Sequence, residues 1–381
     1  MTTKYKAKKK RAGTVPRRIC LALTAVMLLC LLPCLGADSG GGTVRISVPS
    51  IPEKFSEYMA AQGNWLPNPG EQDFSAFQAV RKLSDSDLIA PVPNPDLYGE
   101  AQTASEVSWF AEKAAGLLDG QKLYFGPDRE LLSGSTIKYY LDDSIAVITW
   151  KEAYGNTVMT FAEVKIADGS QFRRFLAGGQ FGAETQYTTT QMAQSVNAVL
   201  ASSGDFYKFR YNGVVVYENT VRRVNTNKAD TCYIDQDGNL IFTYQNTKMT
   251  SEEAQRFVDE HGIRFSLTFG PVLVDDGVRC EPKNYDLGEI NGKSPRAALC
   301  QLDRLHYLVV TANPEGPGTG AITIHTFAER IAETGCTKAY ALDGGQTAAI
   351  ALDGKLVNYP LYGQQRPISD IIYFATSIDG G

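Results

Sequence analysis

From residue 121 onward, apolar and aromatic residues come in short runs and alternations separated by Asp-Gly and Asn-Gly pairs, a pattern of strands joined by tight turns. Asp168-Gly169, Asn212-Gly213, Asp237-Gly238, Asp276-Gly277 and Asp353-Gly354 each interrupt an extended stretch. Such pairs favour the two-residue turn whose twist matches a hairpin. Five of them predict a mixed, largely antiparallel sheet. Three stretches follow the helical period instead. Residues 189–200 read as one helix. Thr250 and Glu253 form a capping box ahead of Ala254, Phe257 and Val258, with Gly262 as the stop. Thr323 caps a third helix that turns Ile324, Phe327, Ala328 and Ile331 inward before Gly335. Strands with a few separate packed helices predict an α+β domain over residues 121–377.

The preceding region differs. Seven prolines between Pro49 and Pro95 cut residues 43–120 into short pieces, with helical patterns over 74–88 and over 107–118, where Val107, Phe110, Ala114 and Leu117 share a face. Residues 38–120 therefore read as a glycine spacer plus a small helical pre-domain, with Trp65 and Trp109 as buried anchors or glycan platforms. Residues 1–37 are a signal peptide or membrane anchor: eight Lys or Arg and no acid in the first eighteen positions, then an apolar run. Either outcome places the remainder extracellular or membrane-anchored, facing outside the cytoplasmic membrane.

The formal charge of the chain is -5; removing the eight positive charges of the leader leaves -13 on the rest, which excludes nucleic acid as a partner class. Cys232, Cys280, Cys300 and Cys336 read as free thiols, with a Cys232–Cys280 bridge as the alternative in an oxidising compartment. His261, His306 and His325 are scattered, and no spacing suggests a metal centre.

The chemistry concentrates in residues 338–374. There Asp343-Gly344-Gly345 forms a turn between two strand-like runs, putting a carboxylate at a strand end beside glycines that let a ligand approach. Asp205, after Ser203-Gly204, has the same setting. Either Asp also reads as satisfying the backbone of its own turn.

Asp343-Gly344-Gly345-Gln346-Thr347, Gly354-Lys355, Asn358-Tyr359-Pro360 and Arg366-Pro367-Ile368-Ser369 together resemble the signature of the phosphodiester glycosidase family. Upstream, Ser203-Gly204-Asp205-Phe206-Tyr207, Phe269-Gly270-Pro271-Val272-Leu273 and Pro295-Arg296-Ala297-Ala298-Leu299 resemble further family segments in the same order, so that the likeness covers residues 137–374. Two positions depart from it: Ser203 stands where the family has Asn, and Gln346-Thr347 where it has Gly-Ser.

The resemblance implies hydrolysis of a sugar-1-phosphodiester, with an N-acetylglucosamine-type sugar, in cell-envelope or secreted glycans. Asp343 and Asp205 are then the catalytic pair, since cleavage at an anomeric carbon needs carboxylates to handle protons and to stabilise an oxocarbenium-like state. Arg296 and Arg366 are assigned to the phosphate because arginine stays charged and grips two oxygens. Gly344 and Gly345 present backbone N–H groups, Thr347 a hydroxyl and Tyr207 an aromatic face, as do Phe206, Tyr359 and Tyr362. No cofactor is required, although the two Asp residues are able to share a divalent cation in place of proton work. The alternative is a non-catalytic glycan-binding envelope protein that retains the fold, motivated by Ser203 and Gln346.

Overall fold

The computed structural model describes residues 81–84, 89–225, 229–281, 292–316 and 318–378. The leader, the glycine spacer, Trp65 and most of the helical pattern at 74–88 lie outside the described residues. Strands β1 (Tyr98–Ala101), β2 (Ile137–Leu141), β3 (Ile145–Tyr154), β4 (Thr157–Ile166), β5 (Phe172–Leu176) and β6 (Leu200–Ser203) open the fold, with helix α1 (Thr189–Ser195) between the last two. Next come β7 (Gly213–Tyr217), β8 (Thr220–Asn225), β9 (Thr231–Asp235), β10 (Leu240–Thr243), helix α2 (Ser251–His261), β11 (Ile263–Leu267), β12 (Val272–Asp275) and β13 (Val278–Arg279). The chain continues through β14 (Arg296–Asp303), β15 (His306–Asn313), helix α3 (Ile324–Ala332), β16 (Lys338–Leu342), β17 (Ile350–Leu352), β18 (Lys355–Leu356) and β19 (Asp370–Phe374).

These strands form a nine-stranded sheet in the order β1-β2-β3-β4-β15-β14-β16-β12-β13 and a five-stranded sheet in the order β18-β17-β6-β19-β5. A three-stranded sheet, β10-β9-β11, and the β7-β8 hairpin complete the set. Every pairing among the described strands is antiparallel. The α+β class holds.

Two core layers explain why β4 is buried along its whole length. One face of the nine-stranded sheet packs Trp150, Phe161 and Cys300 against Phe327 and Ile331 of α3. The other packs Val164, Leu299 and Tyr340 against Phe172, Ile350 and Ile372 of the five-stranded sheet. A strand covered on both faces has no use for alternating polar positions. An aromatic knot ties three sheets together at Phe172. Its ring stacks 4.6 Å from Phe374, meets Phe265 edge-on at 5.3 Å and lies 5.3 Å from Tyr307.

Three of the five Asx-Gly pairs form hairpin tips: 237–238 between β9 and β10, 276–277 between β12 and β13, and 353–354 between β17 and β18. At the last two, both residues adopt positive φ, as the mirror-image turn requires. The other two pairs do not form hairpins. Asp168 caps a single helical turn by accepting from the Ser170 N–H, where the chain passes from the nine-stranded to the five-stranded sheet. Asn212-Gly213 simply leads into β7. Helix α2 carries its expected Thr250–Glu253 capping box and ends on Gly262 in the left-handed region. Helix α1 stops at Ser195, short of the expected 200, because Leu200 is claimed by β6.

Residues 98–118, read from sequence as part of a separate helical piece, supply edge strand β1 and three short helical turns to the same fold. Val107, Phe110, Ala114 and Leu118 bury into the core that holds Trp150. Trp109 remains partly exposed, with its ring edge against Tyr139 at 5.4 Å. The four cysteines described are free thiols, including Cys232 and Cys280. Buried His306 pairs with Glu163 at 2.8 Å, a structural use of both side chains, since Glu163 also accepts from the Tyr124 and Phe125 N–H groups. No helix among the described residues is long and apolar enough to cross a membrane.

Candidate active site

Two strands from different sheets end at one point. β6 of the five-stranded sheet runs out at Ser203 and β16 of the nine-stranded sheet at Leu342. The Asp343 N–H donates to the Gly204 carbonyl at 3.1 Å, and the Ser203 hydroxyl donates to the Asp343 carbonyl at 3.2 Å. Ser203, the first departure from the family pattern, therefore clamps the backbone that presents Asp343.

The Asp343 side chain is 8% exposed, and its Oδ2 is buried without a hydrogen-bond partner. Burial pushes its pKa up to about 7; the Thr347 hydroxyl and the Arg366 and Arg210 charges pull the other way, and Asp205 adds to the rise. A carboxyl poised near neutrality with an uncommitted oxygen can give or take a proton under ordinary conditions.

Asp205 lies close by but is committed. Its Oδ1 accepts from the Phe206 N–H at 2.7 Å, and its Oδ2 accepts from the Thr268 N–H at 2.7 Å and the Thr268 hydroxyl at 2.8 Å. Arg174 of β5 stands 3.5 Å from the same oxygen and donates through Nε to Oδ2 of Asp370 at 2.7 Å. The other Asp370 oxygen accepts from the Asp205 N–H at 3.0 Å. The result is a fully buried Asp205–Arg174–Asp370 triad with one excess negative charge when ionised. Burial pushes Asp370 up to about 6, with Arg174 pulling it down. Asp370 and Arg174 were not among the residues singled out as catalytic or binding from sequence. Their signal is a charge inside an otherwise apolar strand, Asp370 heading β19 and Arg173-Arg174 within β5. Gly204 is required here, since a Cβ at that position would lie 2.5 Å from Asp370 Oδ2.

The turn after Asp343 is held from several sides. The Gly345 N–H donates to the Pro295 carbonyl at 2.9 Å, and the Thr347 hydroxyl donates to the Gly344 carbonyl at 2.5 Å. Asn358 accepts from the Ile350 N–H at 2.8 Å and donates to Asn313 at 3.0 Å and the Ala348 carbonyl at 2.9 Å, fixing the return segment. Gln346, the second departure, extends its amide to the Gln364 carbonyl at 3.4 Å. A Cβ on Gly344 would sit 2.6 Å from the Pro295 carbonyl oxygen, a backbone atom. Gly344→Ala is therefore expected to destabilise the fold by about 1–3 kcal/mol and to displace Asp343. Urea unfolding checks this; a variant as stable as the parent would show that the turn has room.

Several expected ligand groups are placed otherwise than sequence suggested. Tyr207 is buried against Phe181, its ring 5.1 Å from the Arg174 guanidinium, and burial lifts its hydroxyl pKa to about 12. Arg296 is buried, donating to the Ile322 and Gly292 carbonyls, and burial lowers its pKa to about 10. Pairing of β14 with β15 and β16 draws it into the wall. The Gly345 amide is engaged by the Pro295 carbonyl and the Thr347 hydroxyl by the Gly344 carbonyl. The cations that act on Asp343 are Arg366, which is exposed, and Arg210, which sequence reading missed. Both flank Phe206, at 5.6 and 5.9 Å from its ring, and Arg210 also lies over Phe269 at 4.4 Å. No cluster of three or more His, Cys, Asp or Glu able to hold a metal ion occurs among the described residues.

Comparison with known proteins agrees with the motifs. Residues 196–375, which contain Asp205, Asp343, Arg366 and Asp370, match the phosphodiester glycosidase family. The SPbeta prophage-derived uncharacterized protein YomE of Bacillus subtilis (strain 168) is 25% identical over 199 residues, 50% of this chain and 30% of that one. The chain thus spans about a third of the length of that curated relative. Among solved structures, the zebrafish N-acetylglucosamine-1-phosphodiester alpha-N-acetylglucosaminidase catalytic domain, auto-inhibited by its pro-peptide, aligns at TM-score 0.48 and 15% identity, covering 68% of this chain and 92% of that one. A hypothetical protein from Synechocystis aligns at TM-score 0.45 and 13% identity, covering 62% and 63%. Residues 196–375, a little under half of the chain, are thus similar to the phosphodiester glycosidase family.

Proposed function

We propose that this protein hydrolyses a sugar-1-phosphodiester, releasing free sugar and a phosphomonoester. The observation that carries the reading is the unpartnered, buried Oδ2 of Asp343, which sits within the influence of Arg366 and Arg210. The two arginines receive the phosphate, and Phe206 between them offers a ring to the sugar face. The leaving phosphomonoester, with a second pKa near 6, departs as a stable anion with little acid assistance. Proton removal from the attacking water is the harder task, and Asp343 is its base. The proton passes to Asp343, the water oxygen bonds the anomeric carbon, and the electrons of the breaking carbon–oxygen bond leave with the phosphate. The excess negative charge of the Asp205–Arg174–Asp370 triad favours the positive charge that develops on the sugar.

The basic and apolar leader supports placement outside the cytoplasmic membrane, on a cell-envelope or secreted glycan, and the family supports an N-acetylglucosamine-type sugar. The test is incubation of the full chain with a panel of sugar-1-phosphodiesters in oxygen-18 water. Label is expected in the sugar; label in the phosphate would mean that the phosphorus–oxygen bond is cut instead. Because Asp343 must be ionised to act as base, kcat/KM is expected to rise with pH through about 7 and level off above it. A rate that falls across the same range would make Asp343 a general acid.

A further inference from the structure

Seven large hydrophobic side chains stand exposed among the described residues, and four of them, Phe209, Tyr211, Tyr359 and Tyr362, lie on the two segments that flank Asp343. Folding alone gives no reason to expose rings on the segments beside a candidate site, and exposed apolar surface of this kind marks binding surfaces. Tyr362, 79% exposed, also holds a φ of +64°, a left-handed conformation that a bulky residue resists without some compensating use.

Cations are interleaved with these rings. Phe206, flanked by Arg366 and Arg210, lies 4.9 Å from the Phe209 ring. One step further out, the Arg223 guanidinium stands 5.0 Å from the Tyr211 ring and braces the loop by donating to the Tyr207 and Arg210 carbonyls at 2.7 and 3.0 Å. A single sugar-1-phosphodiester at Asp343 is served by Arg366, Arg210 and Phe206 alone. Phe209 and Tyr211 continue the aromatic surface outward from Phe206, and half-buried Arg223, braced on the loop carbonyls, adds a positive charge beside the Tyr211 ring. A chain in which sugar rings alternate with phosphodiesters offers the complementary series, an apolar face and then a single negative charge. A basic strip on an otherwise acidic protein also orients such a polyanion on approach.

We propose that this surface binds a polyanionic glycan whose repeat unit is a sugar joined by a phosphodiester, with the linkage to be cut at Asp343 and a neighbouring repeat laid over Phe209, Tyr211 and Arg223. The proposal rests on the hydrolase reading for the position of the cut, but its binding step is measurable without turnover. Calorimetry with full-chain Asp343→Asn and sugar-phosphate oligomers of one, three and six repeats is expected to show affinity rising at least about tenfold from one repeat to three, equivalent to one further ring and charge engaged. The ratio of three-repeat to one-repeat affinity is expected to fall about three- to tenfold in Tyr211→Ala, whose exposed ring makes it safe for folding, and further in Phe209→Ala/Tyr211→Ala. Equal affinity at every length overturns the proposal. So does equally tight binding of an uncharged oligomer of the same sugar, which would make the occupant a neutral glycan. Length-dependent binding by a wild-type chain that turns over nothing upholds this surface and removes the hydrolase reading. Turnover of the one-repeat substrate without any length effect does the reverse.

Discussion

Asp343→Asn is expected to lower turnover by about 10²–10⁴-fold while making the folded protein more stable above neutral pH. Both effects come from the same burial. The amide keeps the shape of the side chain but cannot accept the proton of the attacking water. In the parent, the folded-state pKa near 7 is well above the ordinary aspartate value of 3.8. Between those values the folded chain holds a proton that the unfolded chain releases, so the stabilising contribution is intact below about pH 4 and drains away as pH rises through about 7. At about 1.36 kcal/mol per unit, ionising Asp343 in place costs on the order of 4 kcal/mol at pH 8. Asparagine does not ionise. The variant should therefore match the parent in thermal melts at pH 4 and exceed it at pH 8. A variant that loses turnover and is less stable at pH 8 would show that the Asp343 charge is compensated in the fold, and the argument for a poised base would fail with it.

Arg174→Met should be the most damaging single change to stability. It leaves the carboxylates of Asp205 and Asp370 close together in a fully buried interior, with both Arg174 contacts removed at once. Stranding a buried charge in this way costs about 3–5 kcal/mol. Because Arg174 holds the Asp370 pKa down against burial, its loss should raise that pKa further, so the destabilisation should grow as pH rises above about 6, where the parent's Asp370 ionises, and shrink as acid protonates Asp370. Adding Asp370→Asn to Arg174→Met should recover part of the loss. Urea unfolding at two pH values measures all three proteins; a loss under about 1 kcal/mol for Arg174→Met would place the triad in contact with water.

Features that depend on a few neighbouring residues were legible in the sequence. The Thr250–Glu253 box, the Gly262 stop and the hairpins at 276–277 and 353–354 rest on local backbone chemistry, and they stand where the pattern put them. Asp343 and Asp205 were marked as candidates by glycine beside a strand-end acid, a local signal, together with the ordered motifs around them, and the structure sets them close together. Arg174 and Asp370 are 196 positions apart in the chain and meet only because β5 and β19 pair. Asp168-Gly169 has the same composition as a hairpin tip, but the chain needed a corner between sheets at that point, and the Asp168 side chain caps it. Arg296 shows the converse: its motif marked it, yet tertiary pairing turned it to the Ile322 and Gly292 carbonyls. Arg210 stayed hidden because only the fold brings the loop after Asp205 against Arg366 through the shared Phe206 ring.

The joint between Ser203, Gly204 and Asp343 separates positions whose substitution moves the acids from positions whose substitution does not. The acids and their supports hang from strand ends locked to one another across two sheets, so a substitution that breaks the lock moves the acids with it. Phe209, Tyr211, Tyr359, Tyr362 and Arg366 stand exposed on the segments 206–211 and 359–366, although Tyr207 is buried in the core. The exposed side chains can therefore be exchanged for others while the lock that positions the two acids stays as it is.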